Sequence, residues 1–359
     1  MSKEKIHLVI ASANLLPGGA ERVLSFLARN IDRTTFKVSF VIFGHEKDVA
    51  YDLTGLSTTF FGKDRILHGF IDFYKFLRRE KPDVVITAVG HLNTMGAYLS
   101  WVFPKIKFVA REVTVLSVMR EHANVKFNPF MWMSKHRFKY VDAVICQSDH
   151  MVEDIKTTYR FDYDKITIIH NPITDSFKLK STIADRSEMK LITIGRISAE
   201  KGHERLISIL KRLDFPYHYT IIGNGSDRDK ILGLIESEGL RNKITYIEFT
   251  SEVDKYLTDS HVFLLGSYTE GFPNAVLESA AVGTPIVAYP APGGLIEIIE
   301  EGINGYIVDT EDEYVEKLNS IYKDYHFEPE AIRSSVMKKF HSDIIINKYE
   351  ALFKQLINK

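Results

Sequence analysis

Two glutamates eight positions apart are the residues of this sequence whose types and spacing most suggest chemistry. Glu270 and Glu278 stand in EGFPNAVLES, where the intervening glycine, proline and asparagine are residue types that turn a chain and begin a helix. Two carboxylates can act as a catalytic acid and base, bind a metal ion, or accept hydrogen bonds from a ligand. The pair alone does not choose among these roles, so the surrounding elements must decide.

Short apolar runs alternate with amphipathic stretches along the whole chain. Six such runs lie in each half, among them IHLVIA and DVVITA, then KLITIG and VFLLG. Continuous apolar strands separated by helices predict parallel sheets covered on both faces. Because 359 residues are many for one core, we expect two doubly wound α/β domains, 1–173 and 188–335. The polar segment between them predicts a linker.

The composition excludes several classes of protein. The formal net charge is −1, so nothing indicates a nucleic-acid partner. No apolar run approaches the roughly 18 residues of a membrane span, and MSKEKIHLVIAS lacks the apolar core of a signal peptide. The single cysteine, Cys146, excludes internal disulfides and fits a reducing compartment. We therefore expect a cytoplasmic protein.

Candidate binding residues lie where strands lead into helices, because ligands of doubly wound sheets bind at the carboxyl ends of strands. After the first strand, Gly18 and Gly19 allow close backbone approach to an anion, although a tight turn explains them equally well. Their spacing is not the dinucleotide pattern G-x-G-x-x-G. Later in the chain, Asn224 and Gly225 occupy a similar bend, which suits either a nucleotide or a plain turn.

The second domain also offers cations at a strand end. Arg196 follows the strand KLITIG and Lys201 comes five positions later, just before a helix. Two cations there suit a diphosphate, since each charge-assisted hydrogen bond contributes ~1.5–3 kcal/mol. The alternative is a pair of solvated surface charges.

The EGFPNAVLES stretch follows the strand VFLLG in the same manner. Pro273 suits the first turn of a helix and Asn274 suits its cap, which places Glu270 in the loop and Glu278 one turn into the helix. A carboxylate can accept hydrogen bonds from a ribose diol, which is a role for Glu278. The backbone amides near Phe272, Pro273 and Asn274 would then meet phosphate or sugar oxygens.

Together these residues resemble retaining glycosyltransferases of the GT-B fold, specifically glycosyltransferase family 4. The resemblance covers essentially the whole chain, in order. It rests on the segments PGGAERV, IIHNPI, GRISAEKG, GNGS, EGFPNAVLESAAVGTPIVA and PGGLIEIIEEGINGYIV. The E-x7-E element together with the upstream Arg and Lys is the most specific part.

The resemblance implies a role for each matching position. Arg196 and Lys201 would neutralise the diphosphate of a nucleotide-sugar, and Glu278 would hold the ribose hydroxyls. Glu270 would contact the donor sugar, and Gly19 would lie beside the donor phosphates. A C-terminal helix at about 340–359 would return to the first domain.

In the first domain the resemblance suggests a sugar contact for His91, which could equally cap its helix. Arg111 and Glu112, in REVTVLS, resemble an acceptor-side element of some relatives. Many members have Glu-His at that point, whereas here Val113 follows Glu112.

The resulting hypothesis is a retaining, metal-independent transfer from a nucleoside diphosphate-sugar, with UDP favoured, to a lipid-linked or membrane-associated glycan acceptor. We expect no cofactor and no metal ion. Asp162 and Asp164 form an Asp-x-Asp, but they precede a strand rather than follow one and therefore indicate a turn. Alternatives are a glycosidase, which leaves Arg196 and Lys201 unexplained, a nucleotide-sugar epimerase, and a catalytically silent partner subunit.

The segment 105–139 suggests how the acceptor is reached. It carries eight Lys or Arg against two Glu, with aromatic residues interleaved. Such a stretch can lie on an anionic membrane surface, and it can equally form a helix that covers the core of the first domain. We expect peripheral association with the inner face of the cytoplasmic membrane.

Overall fold

The computed structural model of the protein describes residues 5–115, 136–159, 163–180, 185 and 187–358. It divides into two compact units, Met1–Asn171 with Asp343–Lys359, and Pro172–Ser342. Each unit contains one parallel sheet with helices, which confirms the predicted α/β class with two doubly wound sheets.

The first sheet has seven described strands in the order β3-β2-β1-β4-β5-β6-β7. All six apolar runs predicted for this half are strands, whereas the three-residue edge strand β3 gave too short a signal to be predicted. The strands are β1 (Ile6–Ser12), β2 (Phe36–Ile42), β3 (Thr58–Phe60), β4 (Val84–Ala88), β5 (Lys107–Arg111), β6 (Ala143–Cys146) and β7 (Ile166–Ile168).

The described helices of the first unit are α1 (Gly19–Asn30), α2 (Phe70–Glu80), α3 (Gly90–Val102), α4 (Asp149–Tyr159) and, at the end of the chain, α12 (Ser342–Ile357). The last helix belongs to this unit because it buries its apolar face here: the Phe353 ring lies 6.2 Å from that of Phe36. The Asp32 backbone amide donates to Glu350 at 2.9 Å. Within the described residues, no helix is both long enough and apolar enough to cross a membrane.

The second sheet has six described strands in the order β10-β9-β8-β11-β12-β13. They are β8 (Met189–Ile194), β9 (Tyr217–Ile222), β10 (Ile244–Ile247), β11 (Val262–Leu265), β12 (Ile286–Ala288) and β13 (Gly305–Ile307), and they match the six predicted runs. The helices are α5 (His203–Lys211), α6 (Arg228–Ser237), α7 (Val253–Thr258), α8 (Asn274–Val282), α9 (Leu295–Ile298), α10 (Glu311–Lys323) and α11 (Pro329–Phe340).

The segment predicted as a linker belongs to the second unit. Phe177 and Lys180 are buried in it, and the Lys180 ammonium donates to the Ser260 carbonyl and the Thr284 hydroxyl. The polar composition did not predict this, because among the described residues of the segment it is Phe177 and Lys180 that are buried. Residues 181–184 and 186, also within the predicted linker, lie outside the described residues.

Each sheet has one point where the winding of the chain reverses. In the first sheet it lies between β1 and β4, and in the second between β8 and β11. Loops that leave neighbouring strands in opposite directions open a crevice at such a point, which is where doubly wound sheets bind ligands. The loops after β8 and β11 carry Arg196, Lys201 and Glu270.

Candidate active site

A lysine–glutamate ion pair lies at the reversal point of the second sheet. Lys201 Nζ is 2.7 Å and 2.8 Å from the two carboxylate oxygens of Glu270, and the Ser267 hydroxyl donates to Glu270 Oε1 at 2.6 Å. Glu270 is 9% exposed and Lys201 is 23% exposed, so water screens the pair only partly. The structure therefore brings together two predicted site residues that are 69 positions apart, and it adds Ser267.

The backbone around this pair is packed too closely for side chains. Gly202 has φ +60°, and a Cβ there would lie 2.0 Å from the Gly266 carbonyl oxygen. Gly293 has φ +128°, and a Cβ there would lie 1.5 Å from the carbonyl oxygen of Glu270, whose own amide donates to the Pro292 carbonyl at 2.9 Å. Glycine is required at both positions, and the contacts fix where the Glu270 carboxylate points.

Arg205 is a further determinant of this geometry that the sequence did not reveal. Its guanidinium donates to the backbone carbonyls of Gly266 and Ser267. It also lies 4.0 Å from the ring centres of both Tyr268 and Tyr289, which is stacking distance for a cation on an aromatic face. Arg205 thus anchors the start of the loop that carries Glu270. Its partners come from β11 and β12, so only the fold shows them.

Arg196 lies two residues after β8 and remains open to solvent. Its side chain is 71% exposed, and Glu200 Oε1 is 4.0 Å from its guanidinium. The buried His203 ring holds the Arg196 backbone, since its Nε2 lies 3.1 Å from the Arg196 carbonyl oxygen. Burial lowers the pKa of His203, so the ring is neutral and donates from Nε2. An exposed guanidinium on a fixed backbone can meet an incoming anion.

The loop after β9 carries the predicted Asn224 and Gly225. The Asn224 side chain donates to Glu248 at 2.6 Å and accepts from the Gly225 amide at 2.8 Å. A Cβ on Gly225 would lie 2.1 Å from the Ile197 carbonyl oxygen, so this glycine permits the β8 and β9 loops to touch. Backbone packing accounts for the glycine, and a nucleotide contact stays a prediction.

Helix α8 begins at Asn274, with Pro273 at the N-cap position and no side-chain cap. This differs from the prediction that Asn274 caps the helix, because Pro273 is still extended (φ −75°, ψ 93°). The Phe272 ring is buried 5.5 Å from the ring of Phe340, so residue 272 offers a ligand its backbone rather than its ring. Glu278 lies one turn into the helix, as predicted, and is buried.

In the first unit, the loops after β1 and β4 carry the other predicted donor-side residues. The Gly18 amide and carbonyl both bond to the Tyr51 hydroxyl, at 2.9 Å and 2.8 Å, and Gly19 is the exposed first residue of α1. The Gly18 amide is therefore already used by Tyr51. His91 is exposed in the first turn of α3.

The residue that precedes α3, at its N-cap position, is held in an unusual backbone conformation. Val89 has φ +74° and ψ 135°, which β-branched residues rarely adopt. Such conformations persist where the surrounding fold imposes them, and they concentrate near functional sites.

Arg111 and Glu112, predicted on the acceptor side, are buried in protein contacts instead. Arg111 donates to the Tyr349 hydroxyl at 2.9 Å and to Asn171 at 2.5 Å. Glu112 Oε1 accepts from Asn93 at 2.8 Å and from the Arg137 guanidinium at 3.1 Å. Both side chains are held inside the fold: Glu112 pairs with the Arg137 guanidinium, whereas Arg111 has neutral partners and its Nη1 bonds to none of the described residues.

The same contacts change the interpretation of the basic segment 105–139. Arg111 and Arg137 are two of its eight cations, and both are buried, so neither can face a membrane surface. Residues 116–135, which include Arg120, Lys126 and Lys135, lie outside the described residues. The segment's proposed membrane contact therefore stays a prediction for that part of the chain.

The Asp-x-Asp pattern is only partly described. Asp164 lies in a short 3₁₀ turn, Tyr163–Lys165, that leads into β7, and Asp162 lies outside the described residues. This places Asp164 at the amino end of its strand, as the sequence predicted. The loops that carry Arg196 and Glu270 leave the carboxyl ends of theirs.

Comparison with known families matches almost the whole chain. The family described as "Glycosyltransferase Family 4" matches residues 17–177, and "Glycosyl transferases group 1" matches residues 176–336. The two models adjoin near the boundary between the two units.

Two relatives from Campylobacter jejuni align with this chain over most of their length. One is an N-acetylgalactosamine-N,N'-diacetylbacillosaminyl-diphospho-undecaprenol 4-alpha-N-acetylgalactosaminyltransferase, 26% identical over 324 residues, which is 86% of this chain and 87% of that protein. The other is a GalNAc-alpha-(1->4)-GalNAc-alpha-(1->3)-diNAcBac-PP-undecaprenol alpha-1,4-N-acetyl-D-galactosaminyltransferase, 24% identical over 355 residues and 92% of each chain.

Solved structures show the same fold. The lipopolysaccharide outer core galactosyltransferase WaaB superposes with a TM-score of 0.77 at 18% identity, covering 97% of this chain and 99% of that one. Anabaena HepE in complex with UDP superposes with a TM-score of 0.80 at 18% identity, covering 98% and 100%. The chain is therefore an enzyme that belongs to the group 1 glycosyltransferases of family 4, with the GT-B fold.

Proposed function

We propose that the protein transfers a sugar from a nucleoside diphosphate donor, UDP in preference, with retention of configuration and without a metal ion. The observation that carries the proposal is the Lys201–Glu270 ion pair beside the exposed Arg196, at the reversal point of the second sheet. A donor diphosphate placed there would meet two cations, and its sugar would lie near a fixed carboxylate.

The chemistry follows from where charge develops. Breaking the bond between the anomeric carbon and the diphosphate oxygen leaves negative charge on the phosphate and positive character on the sugar. Arg196 and Lys201 stabilise the leaving diphosphate, and Glu270 contacts the sugar. The acceptor hydroxyl forms the new bond from the face that the diphosphate leaves, and a phosphate oxygen takes its proton. Because the acceptor attacks directly, no protein nucleophile is needed. Glu278 holds the ribose of the donor.

The acceptor in this proposal is a lipid-linked glycan at a membrane surface. Its support is that the two Campylobacter jejuni relatives are named for acceptors joined to undecaprenol through a diphosphate. A protein that acts on such an acceptor must reach the bilayer interface, so we also propose peripheral membrane association.

A thermal-shift panel tests the donor half of this proposal without knowledge of the acceptor. The protein is heated with UDP, ADP, GDP, TDP and their sugars, all in excess chelator. We expect one nucleotide family, UDP, to raise the melting temperature most, because ligand that binds only the folded state stabilises it. The absence of any shift would indicate a catalytically silent subunit, and shifts that need added metal would contradict the metal-independent mechanism.

A further inference from the structure

The first unit exposes a group of large apolar side chains on α2, on the 3₁₀ turn that leads into it (Ile66–Gly69) and at the end of α3. Ile71 is 63% exposed, Trp101 62%, Leu67 61% and Val102 54%, and Phe70 is also exposed. Seven large apolar side chains are exposed in the described part of this unit, and these are five of them; the others are Leu16 and Ile357. We call the five residues the apolar ridge.

The residues of the ridge lie on neighbouring elements. Leu67 lies in the 3₁₀ turn Ile66–Gly69 that leads directly into α2, and Ile71 and Tyr74, three positions apart on α2, share a face of that helix. The Tyr74 ring lies 5.3 Å from that of Phe103, which directly follows Trp101 and Val102. The face of α2 that bears Ile71 is thereby joined to the end of α3.

The ridge is not needed for the core. The opposite face of α2 buries Phe73, Phe76 and Leu77 against the first sheet, which already anchors the helix. Large apolar side chains held in water beyond that requirement mark an interaction surface.

Aromatic and basic side chains border the ridge. The Trp101 ring stands edge-on to Tyr140 at 4.5 Å, so the two ends of the segment 105–139 meet beside it. Four basic side chains are exposed near ridge residues or Tyr140 in the sequence: Lys75 and Arg78 follow Ile71 on α2 by four and seven positions, Lys105 follows Val102, and Lys139 precedes Tyr140. The carboxylate of Asp72, next to Ile71, is paired with Lys63 at 3.2 Å. The border is therefore positively charged.

We propose that the apolar ridge docks the first unit on an anionic membrane surface, with Leu67, Ile71 and Trp101 inserted at the interface. The docking proposal rests on the proposed lipid-linked acceptor. It names the surface through which the enzyme reaches the membrane that holds this acceptor. Tryptophan and tyrosine favour the headgroup level of a bilayer, and exposed lysines and arginines around apolar side chains favour anionic lipids. Both features occur together here, within described residues, independently of residues 116–135.

The test is co-sedimentation of the full chain with phosphatidylglycerol-containing and pure phosphatidylcholine vesicles. The ridge variant combines Leu67→Ser, Ile71→Ser and Trp101→Ser. A matched control, Ile296→Ser, Ile303→Ser and Ile357→Ser, removes three exposed apolar side chains elsewhere. We expect the ridge variant to lose about tenfold or more in vesicle partitioning while the control partitions like the parent.

A second variant, Lys75→Ser with Arg78→Ser, lowers binding to anionic vesicles only, in our account. Light scattering in the absence of vesicles tests whether a second copy of the chain covers the ridge instead. A parent dimer that dissociates in the ridge variant would make the ridge a contact between two copies. Equal partitioning of parent and ridge variant, or no binding by the parent, would overturn the proposal. UDP binding is measured on the same samples. Its absence would refute the proposed function, whereas the vesicle partitioning would still decide whether the ridge binds membranes.

Discussion

Lys201 and Glu270 are bonded to each other through two contacts of 2.7 and 2.8 Å. A diphosphate that reaches Lys201 would therefore share a cation that is partly neutralised. Arg196, which is 71% exposed, would then supply the freer positive charge. The two cations differ in role: Arg196 captures the diphosphate, whereas Lys201 ties it to the carboxylate beside the sugar.

This arrangement predicts that replacing Glu270 and replacing Glu278 have different effects on turnover and on nucleotide binding. Glu270→Ala should lower turnover by about 10²–10³ while nucleoside diphosphate affinity stays equal or rises, because Lys201 loses its competing carboxylate. Glu278→Ala should instead weaken nucleoside diphosphate binding. Calorimetry and turnover on both variants check this. If both variants bind and turn over like the parent, the central assignment is wrong.

The mechanism also predicts full activity in excess chelator. Arg196→Ala or Lys201→Ala should each lower the rate by about 10²–10³, since each removes preorganised charge from the leaving group. Arg241→Ala is the control, because its exposed pair with Glu236 joins the turn before β10 to α6 and involves neither the loop after β8 nor the loop after β11. Activity that chelator abolishes and magnesium restores would favour Asp162 and Asp164 instead.

The close packing behind Glu270 predicts a glycine requirement. Gly293→Ala should abolish transfer, because its Cβ would overlap the Glu270 carbonyl oxygen and its φ of +128° is strained for alanine. Gly233→Ala, in helix α6 with nothing within 4 Å of the new methyl, should be fully active and more stable by about 0.5–1 kcal/mol. An active Gly293→Ala variant would contradict the described loop geometry.

The buried Lys180 predicts a pH dependence of stability. Burial lowers its pKa from 10.5 to about 8, so the folded protein loses this proton before the unfolded chain does. Stability therefore rises as pH increases from about 8 towards 10.5, by up to ~3 kcal/mol. The difference between parent and Lys180→Met in urea unfolding, followed by circular dichroism from pH 7 to 9.5, should show this rise. A difference that is flat with pH would place Lys180 in water.

The sequence predicted the architecture well because the strands are nearly continuous apolar runs. Strands buried on both faces consist mostly of apolar residues, so β1 and β8 can be recognised from their own sequences. The three-residue β3 is stabilised by pairing with β2 rather than by its own composition, and it was missed. The segment around Lys180 appeared as a linker because its burial depends on Ser260 and Thr284, distant in sequence.

The placement of Arg196 and Glu270 could be predicted because each lies in a loop that follows a strand of the second sheet, whereas their roles toward a donor stay predictions. It was not predictable where long-range contacts decide the role. Arg205 anchors the loop after β11 by donating to its backbone carbonyls. Glu112, predicted to contact the acceptor, instead accepts hydrogen bonds from Arg137 and Asn93. Spacing along the chain carries no information about such partners.

The most direct test of the central claim is calorimetric titration of UDP in excess chelator into the parent, Lys201→Ala and Lys230→Ala. Lys230 is exposed and pairs with Glu204, so it serves as a matched loss of one lysine. We predict that the parent and Lys230→Ala bind equally, and that Lys201→Ala binds about tenfold to a hundredfold more weakly, as the loss of one charge-assisted hydrogen bond implies. Equal affinity of all three proteins, or no binding by the parent, would contradict the assignment of this ion pair to the donor diphosphate.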